Sequence, residues 1–345
     1  MVLTTTFRRA VTVSVVTAAI SLSYGLKTIA QTVTLNGAGA TFPKPLYDRY
    51  FDEFKKESNI QVNYEGIGSG GGIRQFIAET VDFGASDAYP TSAQRAEMAK
   101  GLVLVPTAGG AVSVVYKLQG VSSLKLSRSV LPAIFSGEIT RWNDSKIAAD
   151  NPGVNLPNQP IKLVVRSDSS GTTNIFTRHL NAISTDFKRK IPGGTAPTWR
   201  ANPLSGKGNP GVAALVQQTE NSIGYVEAAY AAQNNLQSAQ VQNSKNQFIS
   251  PTLDQANKAM ATIGFSSDFN TANAEDPKDG YPIVGVTWLL LYKQYPAQKA
   301  DAVKKMVTWI LSKGQEINKD LGYTRIPQPV IARINKAVND EVASK

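Results

Sequence analysis

Short apolar segments alternate with amphipathic segments along most of this 345-residue chain. Runs rich in Val, Leu and Ile predict strands, and segments whose apolar residues share one helix face predict helices. This alternation, without a fixed repeat, is typical of an α/β fold. The predicted strands are 33–37, 102–106, 111–118, 161–167 and 281–293, and the predicted helices are 45–56, 72–80, 172–183, 211–218 and 300–313.

The positions of two predicted strands indicate two lobes. The strands at 102–106 and 281–293 flank a long central block, so the chain is expected to leave one lobe near the first strand and to return near the second. We therefore predict that 31–106 and 284–345 form lobe I and that 107–283 forms lobe II. Two loop-rich tracts of lobe II are interpreted as surface excursions: 151–160 and 193–210.

The N-terminal segment has the pattern of a secretory signal peptide, predicted here as 1–30. Arg8 and Arg9 precede an uncharged, mostly apolar stretch that ends near Ile20, and the small residues at 28–30 offer a cleavage site. A membrane anchor is the alternative, but the apolar stretch is shorter than the ~20 residues that a spanning helix needs. Because the chain has no cysteine, a lipid anchor cannot form there. The sequence therefore predicts a periplasmic protein.

Composition excludes several classes of site. A chain without cysteine has no disulfide, thiolate metal site or cysteine nucleophile. The single histidine, His179, cannot form a histidine-rich metal site and is interpreted as a partly buried helix residue. The net charge is +10, but the lysines and arginines are scattered rather than gathered in a basic, aromatic stripe. That distribution argues against nucleic acid, leaves acidic surfaces and small anions as partners, and is typical of a solvated protein surface.

The segment GIGSGGG, 66–72, places five glycines before a predicted helix. Gly66, Gly68 and Gly71 match the G-x-G-x-x-G pattern of dinucleotide sites, and Asp87 follows about twenty residues later. However, the preceding run QVNYE is too polar for the buried central strand of a doubly wound sheet, and an exported protein lies away from nicotinamide cofactors. A free anion or a tight turn fits this segment better.

Two further segments combine glycine and hydroxyl residues at a predicted helix start: GAGATFP at 37–43 and RSDSSGTT at 166–173. A helix start presents unpaired N–H groups and a partial positive charge, both of which favour anions. Simple capping by Ser or Thr is the alternative. Arg166 with Asp168 favours the anion interpretation, because an arginine oriented by a carboxylate can donate two parallel bonds to an oxyanion. The three helix starts therefore predict the walls of one small-anion site.

Five motifs resemble the PstS family, the periplasmic phosphate-binding proteins of the phosphate-specific (Pst) ABC transporter. They are LNGAGATFPKPLY, VNYEGIGSGGGIRQFIAETVDFGASDA, IFSGEITRWND, VVRSDSSGTT and SIGYVEAAYA, and the resemblance covers nearly all of 33–345. It implies a two-lobed periplasmic binding protein, type II-like, in which each lobe is a mixed β-sheet flanked by helices and the ligand cleft lies between the lobes.

The resemblance also implies which residues bind the phosphate. Donors from the three helix starts would be Thr41, Phe42, Ser69, Ser170, Gly171 and Thr172. Arg166 would be the one formal cation touching the ligand, held by Asp168, and Asp87 would be an acceptor. The chain departs from the family at Ser169, where glycine is more usual; serine would strain the loop there only if the position needs φ > 0. Neither a cofactor nor a metal is implied.

Asp87 is the residue that predicts selectivity, because a carboxylate in an anion pocket is repulsive unless the ligand brings a proton. Phosphate at neutral pH carries one or two protons and sulfate carries none. Asp87 is therefore expected to accept a hydrogen bond from phosphate and to repel sulfate. Arsenate has the same protons and shape, so it should be discriminated poorly.

These inferences predict a monomeric receptor for inorganic phosphate that closes by a hinge and makes or breaks no bond. The resemblance implies delivery to an inner-membrane permease powered by a cytoplasmic ATPase, with no nucleic acid involved. One alternative is a receptor for another tetrahedral oxyanion. The other is a secreted phosphate-ester hydrolase, which needs an activated nucleophile or a metal. With one histidine, no cysteine and no dense Asp/Glu cluster, only a carboxylate-bound metal could serve such an enzyme.

Overall fold

The structure, a computed structural model, describes residues 33–200 and 202–344. The predicted signal peptide lies outside these residues. No helix within the described ranges is long and apolar enough to cross a membrane.

Strands and helices alternate through the described chain, which confirms the α/β fold. Its strands are β1 (Thr34–Gly39), β2 (Gln61–Gly66), β3 (Phe83–Ser86), β4 (Val103–Lys117), β5 (Lys125–Leu126), β6 (Lys162–Arg166), β7 (Leu204–Gly206), β8 (Ser222–Glu227), β9 (Gln237–Ser238), β10 (Gln240–Gln242), β11 (Phe248–Ile249), β12 (Gly264–Phe265), β13 (Thr271–Ala272), β14 (Val284–Leu291), β15 (Gln294–Tyr295) and β16 (Ala343–Ser344). Its α-helices are α1 (Lys44–Ser58), α2 (Ser69–Ile77), α3 (Ser92–Ala96), α4 (Val130–Phe135), α5 (Ser145–Asp150), α6 (Gly171–Ile183), α7 (Thr185–Lys190), α8 (Gly208–Gln218), α9 (Ala228–Gln233), α10 (Leu253–Met260), α11 (Ala297–Trp309), α12 (Gln315–Ile317) and α13 (Gln328–Glu341), with a π-helical turn at Ile310–Gly314 and a 3₁₀ turn at Asn318–Leu321.

A mixed sheet of nine strands forms the centre of the described chain. Eight of them follow the order β2-β1-β3-β14-β4-β8-β6-β7, and β9 pairs with β4. Strands β1, β2 and β3 are parallel to one another, as are β6, β7 and β8, while β14 runs antiparallel to both β3 and β4. In each parallel group the carboxyl ends of the strands lie at a common edge, where open α/β sheets bind ligands.

The two predicted strands at 102–106 and 111–118 are one continuous strand, β4. The prediction of two separate strands was wrong, because the small residues at 107–110 continue the strand and do not form a turn. Instead, a Cβ built on Gly110 would lie 2.9 Å from the ring of Phe42, and one on Gly109 would lie 2.8 Å from the side chain of Met260. Glycine therefore serves here to let neighbouring side chains approach an extended backbone.

Strand β4 joins the two halves of the sheet. It pairs with β14 as far as Ala111, and from Val112 onwards it pairs with β8. A single strand thus passes between the half that contains β1, β2 and β3 and the half that contains β6, β7 and β8. The described residues form one compact unit, and the lobe boundaries stay a prediction.

The polar run QVNYE forms part of β2, which lies at the end of the sheet. An edge strand has one neighbour and tolerates polar side chains, so this position explains the composition. A dinucleotide fingerprint requires a buried central strand before its glycines. The fold therefore removes the structural support for a dinucleotide site.

Two predictions about segments next to this edge were wrong in detail. The predicted helix 72–80 begins earlier, at Ser69, because most of the glycine run forms the first turn of α2. The tract 193–210, interpreted as a surface excursion, contains β7 and the start of α8. Its glycines allow close packing rather than a loose loop, since a Cβ on Gly206 would lie 2.5 Å from the backbone of α8.

Candidate functional site

The starts of α2 and α6 meet the loop after β3 at a single hydroxyl group. Ser69 Oγ accepts hydrogen bonds from the backbone N–H of Gly171 (3.1 Å) and of Asp87 (3.1 Å). It also donates to Asp87 Oδ2 at 3.4 Å. Ser69 is buried, and its hydroxyl does not cap its own helix. Residues far apart in sequence, from both halves of the sheet, are therefore brought together here.

The start of α1 joins the same place through a residue that the sequence analysis missed. Asn209, buried at the start of α8, donates from Nδ2 to Thr41 Oγ1 (2.9 Å) and to Thr172 Oγ1 (3.1 Å). Its backbone N–H also donates to Thr41 Oγ1 at 3.1 Å. Four helix starts, rather than three, thus contribute to the site.

Arg166 ends β6 and is paired with Asp168 in a fork of two bonds. Arg166 Nε donates to Asp168 Oδ1 (2.8 Å) and Nη2 donates to Oδ2 (2.6 Å), while Nη1 donates to Thr172 Oγ1 (3.3 Å). The arginine side chain is 1% exposed. Burial alone would raise the pKa of Asp168, but the bonds and charge of Arg166 and a bond from Gly208 N–H hold it below its ordinary value. The predicted pairing is present, and it fixes the plane of the guanidinium.

Asp87 follows β3 and is a buried carboxylate among donors. Thr287 Oγ1 donates to Asp87 Oδ1 at 2.8 Å, and Ser69 contacts Oδ2. Burial raises the pKa of Asp87 to about 7, although Thr287, the charge of Arg166 and Ser69 each lower it. A carboxylate placed beside an arginine and several hydroxyl and amide donors can accept one hydrogen bond from a ligand that is otherwise held as an anion.

Comparison with known proteins supports one family. A family model described as "PBP superfamily domain" matches residues 27–313. Phosphate-binding protein PstS of Pasteurella multocida is 39% identical over 330 residues, covering 93% of this chain and 94% of that protein. Phosphate-binding protein PstS of Methanocaldococcus jannaschii is 34% identical over 335 residues, covering 89% and 86%. The chain belongs to the PstS family.

Solved structures show the same fold at lower identity. A high-affinity periplasmic phosphate-binding protein (PfluDING), solved with bound phosphate, superposes with a TM-score of 0.73 at 23% identity, covering 88% of this chain and 94% of that one. An ABC-type phosphate transport receptor from Vibrio cholerae gives a TM-score of 0.57 at 18% identity, covering 85% and 100%. The α/β architecture described above is therefore the fold of these phosphate-binding proteins.

The serine that departs from the PstS family pattern is accommodated without strain. Ser169 is not among the described residues with positive φ. Its carbonyl accepts from Gly70 N–H at 3.0 Å, and its hydroxyl donates to Thr195 Oγ1 at 2.9 Å. The demanding position is Gly68, which has φ +84° and whose added Cβ would collide with Asp168 Oδ2. Glycine is therefore required in the 66–72 segment rather than at Ser169.

The turn before α1 is held by two tyrosines of this PstS-family chain. Tyr230 OH donates to the carbonyl of Thr41 (2.6 Å), and Tyr323 OH donates to the carbonyl of Phe42 (2.7 Å). Tyr323 also contacts Glu227 Oε2 at 2.8 Å. The Thr41 carbonyl lies in the same peptide plane as the Phe42 N–H, so the contact with Tyr230 also fixes the orientation of that N–H group.

One hydroxyl of the site behaves as a conventional cap. Ser170 Oγ accepts from Thr173 N–H at 3.0 Å, so the capping interpretation is correct for this side chain. By contrast, Pro43 is the N-cap residue of α1, and Thr41 Oγ1 is engaged by Asn209 instead. The hydroxyl groups of Thr41 and Ser69 are thus available for roles other than capping.

His179 lies buried on α6 and its Nδ1 contacts the carbonyl of Glu275 at 2.7 Å. Burial lowers its pKa to about 4. It is more deeply buried than predicted, and it makes no hydrogen bond to the residues that meet at Ser69.

Asn209 could have been found from sequence by one signal. Gly208 and Pro210 flank it, and after Gly211 the apolar run VAALV begins; glycine and proline at such positions are typical of a helix start. The loop-rich composition of 193–210 concealed that signal. Thr287 carries no comparable signal, because it lies inside an apolar strand.

Proposed function

We propose that this chain binds inorganic phosphate in the periplasm and delivers it to an ABC-type importer. The observation that carries the proposal is Asp87, a buried carboxylate placed among anion-binding donors and beside Arg166. While it is ionised, such a group is favourable only toward an anion that still carries a proton. The names of the PstS relatives, which are phosphate-binding proteins, support the same ligand.

Each predicted site residue has a role in this proposal. Arg166, oriented by Asp168, supplies the positive charge, and Asp87 accepts the proton of the ligand. Hydroxyl and backbone N–H donors surround the remaining oxygens. These donors are Thr41, Phe42, Ser69, Ser170, Gly171 and Thr172. None of these groups needs to change its covalent state, so the proposed protein is a receptor and not an enzyme.

We expect the site to close between the two proposed lobes, because its residues come from both of them. Ser69 and Asp87 belong to the proposed lobe I, 31–106 with 284–345, whereas Arg166 and Gly171 belong to the proposed lobe II, 107–283. A ligand held by both groups would favour the closed arrangement, and the passage of β4 between the halves near Ala111 is a candidate hinge. The closed monomer would then present its loaded form to a membrane permease and its ATPase.

The proposal predicts a specific order of anion affinities. By titration calorimetry at neutral pH, the phosphate-stripped protein purified after export should bind phosphate tightly. While Asp87 is ionised, sulfate should bind at least about 10⁴-fold more weakly, because a site built to pair with a ligand hydrogen rejects an analogue that lacks it. Arsenate should compete with phosphate. Equal affinity for sulfate would favour a general receptor for tetrahedral oxyanions.

The same preparation tests the hydrolase alternative. A chromogenic phosphate ester should release no product in the presence or absence of divalent metal. Steady turnover that a chelator abolishes would contradict a receptor without catalytic activity.

Asn209→Ala is expected to weaken phosphate binding about tenfold or more. The variant removes donors to Thr41 and Thr172, and a buried hydrogen bond lost in this way costs roughly 1–3 kcal/mol. The matched control is Asn243→Ala, because Asn243 is equally buried but bonds to Lys245, Gln247 and Gly280, none of which is a predicted site residue. Calorimetry and thermal melting of both variants separate the effects. A loss of stability in both, with phosphate affinity unchanged in both, would show that Asn209 is only structural.

A further inference from the structure

Thr287 lies opposite Asp87 because of the register between β14 and β3. Trp288 pairs with Ser86 in this antiparallel ladder, so the next opposed residues are Thr287 and Asp87. Thr287 is completely buried, and its hydroxyl makes its one hydrogen bond within the described chain to Asp87 Oδ1, at 2.8 Å. The contact is therefore built into the sheet rather than into a mobile loop.

An irregularity on the other side of β14 holds Thr287 in place. The register between β14 and β4 shifts between Thr287, which pairs with Ala108, and Trp288, which pairs with Pro106. The extra residue, Thr107, donates from Oγ1 to the carbonyl of Thr287 at 3.4 Å. Bulges of this kind commonly redirect a side chain next to a functional site.

The Thr107 hydroxyl has a further contact with a tyrosine of α1. Thr107 Oγ1 lies 2.7 Å from Tyr47 OH. Either hydroxyl can be the donor in this pair. Thr107 therefore links Tyr47 on α1 to the backbone of Thr287, while the Thr287 hydroxyl donates to Asp87.

The chemistry of Asp87 makes this proton important. Ionised Asp87 accepts a hydrogen bond from phosphate and repels a proton-free anion, yet its burial favours the neutral acid. A neutral carboxyl group could donate to a proton-free anion and would no longer repel sulfate. A hydroxyl that donates to Oδ1 stabilises the ionised form and commits that oxygen, which leaves Oδ2 beside Ser69 for the ligand.

We propose that Thr287 is a positioning and specificity-determining residue of the phosphate site, which keeps Asp87 an acceptor and turns its Oδ2 toward the ligand. This inference rests on the proposed function. Thr287 acts through Asp87 and needs no contact with phosphate itself.

Other titratable groups also influence the ionisation of Asp87, so the Thr287 hydroxyl is one of several contributions to it. Arg166 favours the ionised form, whereas Asp168 disfavours it. The remaining groups whose charge is coupled to Asp87 lie on elements from both halves of the sheet and are Tyr47, Tyr64, Glu227, Tyr230 and Tyr323. Substitution of Thr287 leaves all of these groups in the chain, so a change in selectivity can be attributed to the lost hydroxyl.

Thr287→Val removes the hydroxyl and conserves the shape of the side chain. Phosphate and sulfate affinities should be measured by calorimetry between about pH 5 and pH 9, a range that spans the ionisation of a perturbed carboxyl group. Above the pKa of Asp87, sulfate affinity should rise about tenfold in the variant, which corresponds to a pKa raised by about one unit. Phosphate affinity should fall, so the ratio of the two affinities decreases.

Two further readouts separate this role from a merely structural one. The ¹³C resonance of the Asp87 carboxyl group, assigned with Asp87→Asn, should titrate at higher pH in Thr287→Val than in the wild type. Thr287→Ser should restore both the titration and the affinity ratio. Thr324→Val is the matched control, because the buried Thr324 hydroxyl has no hydrogen-bond partner within the described chain. It should change neither readout.

The outcomes distinguish this inference from the proposed function. A wild-type protein that binds no phosphate would overturn the function and, with it, the inference. If the wild type binds phosphate and rejects sulfate, but Thr287→Val keeps the same ratio and the same Asp87 titration, the inference alone is overturned. Should Thr287→Val fail to fold, Thr287→Ala against Thr287→Ser gives the same comparison, since both lack the methyl group and only alanine lacks the hydroxyl.

Discussion

Replacing Asp87 by asparagine is expected to narrow the difference between phosphate and sulfate affinity from about 10⁴-fold or more to roughly tenfold. An asparagine at this position can still accept a bond through its carbonyl oxygen, so phosphate binding should weaken only modestly. Its amide group can also donate to a proton-free oxygen, and the negative charge that repels sulfate is gone. Titration calorimetry with both anions at neutral pH measures the change directly.

The same variant should be more stable than the wild type at neutral pH in the absence of ligand. Burial raises the pKa of Asp87 from 3.8 to about 7. The folded protein therefore keeps a proton that the unfolded chain releases, and this group lowers the free energy of unfolding as the pH rises from about 4 to about 7. Asparagine does not ionise and removes that loss. Thermal melting of both proteins across this pH range, without added anion, gives the sign of the difference in stability.

Asp82→Asn is a suitable control for the charge change. Asp82 accepts from Asn36 N–H (2.7 Å) and pairs with Lys299 (2.7 Å), and within the described chain it makes no hydrogen bond to Asp87. This control should leave the affinity ratio unaltered. If Asp87→Asn retained the full preference for phosphate over sulfate, the proposal that Asp87 accepts a hydrogen bond from the protonated ligand would be wrong. The PstS family assignment would stand.

Local chemistry allowed much of the site to be predicted from the sequence. Segments 37–43, 66–72 and 166–173 show their glycine and hydroxyl residues at helix starts, and the structure brings these starts together. Their ligand contacts stay predictions. The pairing of Arg166 with Asp168 was also predicted, because two residues so close in sequence can meet without knowledge of the fold.

Residues that depend on long-range register could not be predicted in this way. Thr287 reaches Asp87 across 200 positions of sequence, through the pairing of β14 with β3. Nothing in the apolar run around Thr287 marks its hydroxyl as different from a threonine that only fills a strand. Asn209 is intermediate, since its helix start was visible but its partners, Thr41 and Thr172, come from other parts of the chain.

The fold shows the same division between local and long-range information. Alternation of apolar and amphipathic segments was sufficient for the α/β class, and the polarity of QVNYE was sufficient to exclude a central strand. Small residues were misleading in β4 and in 204–211, where they serve close packing instead of turns. Glycine alone cannot distinguish these cases, because both a turn and a close approach require a residue without a side chain.

Arg166→Met is expected to reduce phosphate affinity by about 10²- to 10³-fold. Truncating one member of a buried, hydrogen-bonded charge pair costs roughly 2–5 kcal/mol, and each 1.4 kcal/mol is a factor of ten in affinity. The loss has two sources: the ligand loses its formal cation, and Asp168 is left as an uncompensated charge near the anion. Asp168→Asn should have a much smaller effect, since it keeps an oxygen acceptor for the guanidinium and removes a negative charge from the site.

The double variant Arg166→Met with Asp168→Asn separates these two sources, because it removes the cation without leaving the carboxylate unpaired. Its phosphate affinity should lie between that of Arg166→Met and that of the wild type. Arg128→Met is the matched control, since Arg128 forms a similar fork with Asp276, at 2.8 Å for both bonds, and makes no hydrogen bond to the predicted site residues. Stability should fall in Arg128→Met without a change in phosphate affinity. An equal loss of affinity in the Arg128 and Arg166 variants would mean that Arg166 supports the fold rather than the ligand.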